Sequence, residues 1–175
     1  MPLVQKTTPS KPVVRTLVTA DLPGLLAVQL ACYGAGFVES AEVFVRRLAS
    51  TANCSLVLES DGAVCAYLAA YRSWRGKVTP LHGDFDAVPA PDTLYLHDMA
   101  VLPACAGRGL ARALLTRLLP WARAAGLRHT ALVSVQGSQA YWARQGYAAH
   151  PVQDAAQRRH LDSYGADAVY MAQAL

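Results

Sequence analysis

The chain has 175 residues, of which 53% are hydrophobic and 16% are charged, a balance that excludes disordered, collagen-like and coiled-coil proteins. A chain of this length hides about 70% of the surface that its unfolded form exposes, so it can form a core without disulfide bonds or a structural metal. No stretch of about 18 apolar residues is present, and the start is polar and rich in proline, unlike a secretory leader. We expect a cytoplasmic protein with one domain over residues 13–175 and a flexible tail over residues 1–12.

The net charge of +4 is unevenly distributed. Residues 1–98 carry 8 basic and 9 acidic side chains, and residues 154–175 carry 2 and 3, whereas residues 99–153 carry six arginines and no acid. Arginines without acidic partners usually border an anion such as phosphate, nucleic acid or lipid. Biased codon usage is the alternative, since Arg outnumbers Lys by 13 to 3, but it does not explain the missing acids.

Hydrophobic periodicity in the first 50 residues predicts a strand and two amphipathic helices. The strand covers residues 13–17, and the helices cover residues 22–30 and 39–48. In the second helix Val43 and Phe44 share one side, and Arg47 is expected elsewhere.

A hairpin follows, with strands over residues 54–59 and 63–71 around an Asp61-Gly62 turn. A two-residue turn places Leu58 opposite Cys65. Cys54 then lies opposite Ala69, so these two thiols do not face each other. The four cysteines also lack a C-x-x-C pair and zinc-finger spacing, and we expect reduced thiols and no bound metal. They are Cys32, Cys54, Cys65 and Cys105.

The rest of the chain begins with residues 74–91, whose Gly, Pro and Asp content predicts a long surface loop. Pro120 is expected to kink the long helix that follows. A strand, a helix and a second strand over residues 94–135 require one parallel pair. We therefore predict a single α/β domain with a mixed, mostly antiparallel sheet and helices on both faces. The predicted elements are strands over residues 94–101, 129–135 and 169–175 and helices over residues 109–125 and 138–145.

Chemistry is indicated where the strand over residues 94–101 meets the long helix. Gly107 and Gly109 flank Arg108 there, and glycines before a helix let a ligand approach backbone amides that suit a pyrophosphate. An ordinary tight turn is the alternative. The segment lacks the Gly-x-Gly-x-x-Gly and Gly-Lys-Ser/Thr patterns, which disfavours NAD and ATP.

This segment resembles the acetyl-coenzyme A motif of the GNAT N-acetyltransferase superfamily, Gln/Arg-x-x-Gly-x-Gly/Ala after a V-x-P turn. Gly109 and Ala111 match the motif, while Ala106 replaces the usual Gln or Arg. Residues 138–147 resemble a second element of the family, so the resemblance covers nearly the whole chain. It implies a GNAT fold and acetyl-CoA as co-substrate. The residues expected to bind acetyl-CoA are Met99, Ala100, Val101, Gly107, Arg108, Gly109, Leu110, Ala111, Arg112, Gln136 and Ser138.

The strand over residues 94–101 is also similar to that of aralkylamine N-acetyltransferases, in which a histidine helps to deprotonate the amine through water. The resemblance gives His97 this role, and a histidine satisfied by a cross-strand partner is the alternative. Alternation of period 2 places Tyr95, His97 and Met99 on one face. The backbone amide of Met99 is expected to polarise the thioester carbonyl. Asp98 either turns toward the substrate at a bulge or makes a structural hydrogen bond on the far face.

The family's general acid is a tyrosine four residues before the late glycine, and this chain has Trp142 there. An indole cannot donate the required proton. The adjacent Tyr141 is either the acid or a core side chain, and release of the thiolate without a side-chain acid also stays open.

The resemblance implies an acceptor pocket between the first helix pair, the loop after the third strand and the carboxyl-terminal hairpin. Aromatic and acidic residues suit a cationic amine. We expect acetyl transfer to a primary amine of a small molecule or peptide by direct attack, with no nucleic-acid or membrane partner. A catalytically inactive acyl-CoA sensor and a nucleic-acid binder are the alternatives, and the oligomeric state, including a homodimer, stays open. The pocket is expected to include Tyr33, Phe37, Tyr95 and Tyr164, with Glu39, Trp74, Asp84 and Asp86 nearby.

Overall fold

The computed structural model describes residues 11–175, in which seven strands form one mixed sheet in the order β1-β2-β3-β4-β5-β7-β6. Only β4 and β5 run parallel among these neighbours, as predicted. A tail was predicted for residues 1–12, and residues 1–10 of it lie outside the described residues. The strands are β1 Val13–Thr16, β2 Leu56–Ser60, β3 Ala63–Ser73, β4 Thr93–Val101, β5 His129–Ser134, β6 Ala148–Ala149 and β7 Val169–Ala174.

Helices cover both faces of the sheet, which confirms the predicted fold class. Leucines of α3 join one buried cluster, and Leu25 of α1 and Phe44 of α2 join the other. The helix α3 continues through Pro120, and its kink stays a prediction. The helices are α1 Leu22–Tyr33, α2 Ala41–Ala49, α3 Leu110–Ala124, α4 Gln139–Arg144 and α5 Ala155–Asp162.

The β2–β3 hairpin turns at Asp61 and Gly62, whose φ angles of 54° and 77° are those of a left-handed two-residue turn. The predicted register is wrong by one residue. A bulge between Leu58 and Glu59 pairs Leu58 with Ala66 instead of Cys65. All four cysteines are free thiols.

The segment between β3 and β4 has no helix or strand, but it is not only a surface loop as predicted. Val78 and Phe85 are buried in the core cluster of α1 and α2. The fifth helix, which the periodicity did not predict, holds this segment, because Gln157 of α5 accepts a 2.7 Å hydrogen bond from the amide of Val78. Such side-chain partners allow an irregular backbone to be buried.

The two parallel strands pair over only part of their length. The β4–β5 register runs from Thr93 to Leu96 on β4. From His97 to Val101, the edge of β4 toward β5 has no strand partner within residues 11–175. The sheet therefore opens at its centre and leaves backbone groups of β4 available there.

Candidate active site

A cavity of about 360 Å³ lies where β4 and β5 separate. Its walls come from the α1–α2 connection, the second half of β4, the end of β5 and the start of α4. It brings together ten of the predicted site residues, which are Tyr33, Phe37, His97, Met99, Val101, Ala111, Gln136, Ser138, Tyr141 and Tyr164.

Other predicted substrate residues lie away from the cavity. Tyr95 is fully buried, with its ring 5.3 Å from that of Tyr71, and it packs in the core. Trp74 donates a hydrogen bond to Pro89. Asp84 forms an exposed ion pair with Arg46, and the side chain of Asp86 is 74% exposed.

The loop before α3 has the conformation that an anion site requires. Gly107 and Gly109 have φ angles of 75° and 73°, a left-handed conformation that glycine adopts without strain. The amide of Ala113 makes the first intrahelical bond, to the carbonyl of Gly109. The preceding amides of residues 110–112 therefore point out of the helix start, where they and the helix dipole favour a phosphate.

Arginines surround this helix start without acidic partners. Arg108 and Arg112 are exposed, and neither forms an ion pair in the described part of the chain. The side chains of Leu110 and Ala100 are buried in the two core clusters, so these residues can offer a ligand only their backbone groups.

A β-bulge in β4 determines which of its side chains face α1 and α2. The β3–β4 register shifts between Ala69 and Ala70, which pair with Asp98 and Leu96 and leave His97 as the extra residue. The predicted alternation is therefore wrong beyond His97. His97 and Asp98 both face the side of α1 and α2, whereas Met99 packs against the α3 cluster.

Each ring nitrogen of His97 has a polar neighbour. Its Nε2 donates to the carboxylate of Glu39 over 3.2 Å, and its Nδ1 lies 3.4 Å from the hydroxyl of Tyr164. That hydroxyl donates to the carbonyl of Thr79 over 2.7 Å. Because Nε2 faces the carboxylate, Nδ1 is the nitrogen that can accept a proton.

Glu39 is itself anchored by a buried arginine. Its carboxylate forms a two-point ion pair with Arg47, with distances of 2.5 and 2.6 Å, and it accepts a hydrogen bond from the amide of His82. Burial would raise the pKa of Glu39, but the bonds with His97 and Arg47 outweigh it and hold this pKa well below its usual value. Glu39 therefore stays a carboxylate that orients His97.

Asp98 also lines the cavity, but its partners are neutral. Tyr33 donates to it over 2.7 Å, Tyr67 donates a short hydrogen bond, and Gln29 lies at 3.5 Å. Burial raises the pKa of Asp98, while the tyrosine hydroxyls oppose this rise.

At the opposite wall, Tyr141 and Trp142 lie side by side, and both line the cavity. Trp142 is buried and packs between Tyr141 and Tyr147, with ring centroids 5.1 and 5.3 Å apart. The ring of Tyr141 borders the cavity, and burial raises the pKa of its hydroxyl, which therefore stays protonated at neutral pH.

Two polar residues follow β5 along the same wall. Gln136 adopts a left-handed conformation with a φ of 51° and is exposed at the cavity. The hydroxyl of Ser138 lies 3.0 Å from that of Ser134. Both residues offer hydrogen-bonding groups to a ligand in the cavity.

Comparison with known proteins agrees with this geometry. Residues 23–147 match the Acetyltransferase (GNAT) family. The chain belongs to this family. No curated protein matches the sequence significantly, but solved structures do.

The solved structures similar to this GNAT domain share its fold at low identity. The ribosomal-protein-S18-alanine N-acetyltransferase of Escherichia coli has a TM-score of 0.69 and 19% identity, over 94% of each chain. A GNAT acetyltransferase of Brucella melitensis in complex with acetyl-CoA has a TM-score of 0.63 and 21% identity, over 94% of this chain and 88% of that one. The loading GNATL domain of CurA from Lyngbya majuscula has a TM-score of 0.73 and 13% identity, over 94% and 98%.

The residue that sequence reasoning missed in this GNAT domain is Arg47. It was expected away from the apolar side of α2, yet it is 1% exposed. Its guanidinium donates to the carbonyl of Gly83 and lies 4.9 Å from the ring centre of Phe85. Spacing was the available signal, because Arg47 follows Val43 and Phe44 by four and three residues and so shares their face.

Two further findings concern residues 11–175 of the GNAT domain. None of its helices there has the length and apolarity needed to cross a bilayer. No group of three or more His, Cys, Asp or Glu side chains is arranged there to hold a metal ion.

Proposed function

We propose that this GNAT domain transfers the acetyl group of acetyl-CoA to a primary amine of a small molecule or peptide by direct attack. The observation that carries the proposal is that the groups needed for the reaction line the same cavity. A histidine bonded to a carboxylate, the unpaired edge of β4 and a tyrosine hydroxyl all border one cavity of about 360 Å³. Direct transfer needs a proton acceptor, a carbonyl-binding amide and a proton donor around one reacting centre.

The residues of this chain fit acetyl-CoA, which supplies an activated thioester. The amides of residues 107–112, with Arg108 and Arg112, would bind the pyrophosphate. Gln136 and Ser138 would hydrogen-bond the pantetheine arm, beside the backbone of β4 residues 99–101. The complex of the Brucella melitensis structure with acetyl-CoA supports this choice of co-substrate.

The proposed reaction balances with groups that border the cavity. His97 Nδ1 takes a proton from the ammonium group, through the Tyr164 hydroxyl or a water, because the His97 side chain is only 2% exposed. The neutral amine attacks the thioester carbonyl, and the Met99 amide stabilises the negative oxygen. As the carbon–sulfur bond breaks, Tyr141 donates its proton to the leaving thiolate, and the second proton of the acetylated nitrogen restores the Tyr141 hydroxyl through water.

Release of free thiol in the presence of amines tests the proposed function. We expect acetyl-CoA and a panel of primary amines to yield one thiol for each acetylated amine. His97→Ala should lower turnover about 10²-fold without changing affinity for acetyl-CoA. His129→Ala, a histidine at the start of β5 outside the cavity lining, is the matched control.

Three outcomes would separate the alternatives. Turnover with any amine supports the enzyme. Binding of acetyl-CoA without turnover contradicts the proposal and supports an acyl-CoA sensor. Absence of both binding and turnover contradicts the proposal altogether.

A further inference from the structure

The two carboxyl groups that line the cavity have different partners. Apart from tyrosines, the acidic and basic side chains that line the cavity are Glu39, His97 and Asp98. Glu39 is neutralised by its ion pair with Arg47. Asp98 forms no ion pair with any Lys or Arg among residues 11–175. Of the two carboxyl groups that line the cavity, Asp98 is therefore the one without a cationic side chain beside it in the described part of the chain.

Three hydrogen-bond donors surround the carboxyl group of Asp98. The hydroxyls of Tyr33 and Tyr67 and the amide nitrogen of Gln29 all point at its two oxygens. A carboxylate only accepts hydrogen bonds, so this arrangement suits the ionised group. A carboxylate among neutral groups in a partly enclosed space still costs free energy, and a cation from solution relieves that cost.

The walls beside Asp98 suit an organic cation. The rings of Tyr33 and Phe37 lie edge to face with centroids 6.5 Å apart. The rings of His97 and Tyr164 lie 6.4 Å apart, and all four line the cavity. Aromatic faces attract ammonium groups by cation–π interaction, most strongly where water is excluded.

We propose that Asp98, between these aromatic walls, is the binding site for a cationic acceptor that carries no anionic group beside its amine. The inference rests on the proposed function for the identity of the cation as the acetyl acceptor. An α-amino acid would bring its carboxylate to the same cavity as Asp98, and no Lys or Arg lines that cavity to receive it. Repulsion between two carboxylates in one cavity disfavours binding. Monoamines and diamines are therefore accepted, and free α-amino acids are rejected.

Binding of a matched pair of ligands tests the site without any acetyl transfer. Choline and 3,3-dimethylbutan-1-ol have the same shape, but only choline carries a positive charge. Because the quaternary nitrogen cannot be acetylated, titration followed by calorimetry or NMR measures recognition alone. We expect choline to bind wild-type protein about tenfold or more tightly. Equal affinities would overturn the proposal.

Two variants assign the preference to the carboxylate. Asp98→Asn removes the charge and should abolish the difference between the two ligands. Tyr33→Phe removes one hydrogen bond to Asp98 but keeps the charge, so it should retain the difference. Circular dichroism verifies that each variant is folded, and the wild-type comparison decides the proposal if Asp98→Asn does not fold. A folded Asp98→Asn variant that still prefers choline would contradict it.

Turnover supplies the substrate test. Phenethylamine and phenylalanine differ by one carboxylate next to the amine. We expect kcat/KM for phenethylamine to exceed that for phenylalanine by about 10²-fold, and Asp98→Asn to narrow this ratio. A preference for choline without turnover of any amine would overturn the proposed transfer reaction but leave the cation site intact. Turnover that favours phenylalanine would overturn the assigned acceptor class.

Discussion

Glu39 shows how a single residue connects the stability of this protein to its chemistry. Its carboxylate is 2% exposed, and it orients His97 while pairing with the buried Arg47. A buried ion pair is costly to break, because the remaining partner keeps its charge away from water. Loss of Glu39 should therefore affect both folding and turnover.

Glu39→Gln should lower the free energy of unfolding by about 3 kcal/mol at pH 7. The pKa of Glu39 is lowered in the folded protein, so its charge stabilises the fold above its ordinary pKa of 4.5. This contribution is lost as the pH falls below that value toward the folded pKa. The difference in the free energy of unfolding between wild type and variant should thus become smaller as the pH falls from 5 to 3.

Urea unfolding over this pH range measures the effect of Glu39→Gln. Asp84→Asn is the matched control, because Asp84 pairs with Arg46 on the surface. An exposed pair should contribute about 1 kcal/mol or less. A Glu39→Gln deficit of the same size at pH 7 and pH 3 would contradict the account of the buried charge.

Tyr141 is the residue whose role the sequence left most open. Tyr141 and Trp142 both line the cavity, but Trp142 is buried in the core cluster, whereas Tyr141 is half-buried and packs against that cluster. The thiolate of a thiol with an ordinary pKa of about 8.5 can leave unaided, so an acid accelerates its departure without being indispensable.

Tyr141→Phe should lower kcat about 10²-fold, because it removes the proposed proton donor and keeps the packed ring. Steady-state kinetics with the best amine of the panel provides the measurement. Tyr147→Phe is the control, since the Tyr147 hydroxyl bonds Thr130 inside the core. Wild-type turnover by Tyr141→Phe would show that the thiolate departs without a side-chain acid.

At the scale of elements, the loop before α3 combines a backbone requirement with the proposed binding of the pyrophosphate. Gly109 and Gly126 flank this helix, both have positive φ angles, and neither has an atom within 4 Å of an added Cβ. Valine at either position would therefore introduce a similar backbone strain. Only Gly109 lies at the helix start, where the free amides are.

Gly109→Val should therefore abolish acetyl-CoA binding, while Gly126→Val should bind as wild type does. Calorimetry on folded variants makes the comparison. Arg112→Ala should weaken binding less, and its effect should shrink at high salt because the side chain is exposed. Unchanged affinity in a folded Gly109→Val variant would remove the loop from the phosphate site.

Elements also show which features could be predicted from the sequence. The hairpin turn at Asp61 and Gly62 was predicted because few residues adopt those angles. The bulge at His97 was only one of two alternatives considered for Asp98, because strand alternation assumes an unbroken ladder and nothing in the local sequence breaks it. The helix α5 has no buried residue, so hydrophobic periodicity could not find it. Asp154 capping the amide of Gln157 was the available signal.

At the scale of the whole molecule, the single parallel pair follows from the pattern of elements, but the site depends on where the two strands of that pair separate. The alternation of strands and helices requires one parallel pair, which the structure has between β4 and β5. How far two parallel strands stay paired is set by packing across the sheet, which a single sequence does not display. The cavity and the convergence of Glu39, His97 and Tyr164 arise at that separation.

The central claim is that the acetyl group passes directly from acetyl-CoA to the amine. A covalent route would need a nucleophilic thiol at the cavity. Cys32 directly precedes Tyr33 of the cavity wall, and its thiol donates a hydrogen bond to the carbonyl of Val101. Burial raises the pKa of its thiol, so it is a poor nucleophile.

Radiolabelled acetyl-CoA distinguishes direct transfer from an acetyl-enzyme route. The protein is incubated with labelled acetyl-CoA, with and without amine, then denatured and separated from small molecules. We predict label on the amine when amine is present and none on the protein in either case. Label that accumulates on the protein without amine, and is chased onto an amine added later, would contradict direct attack.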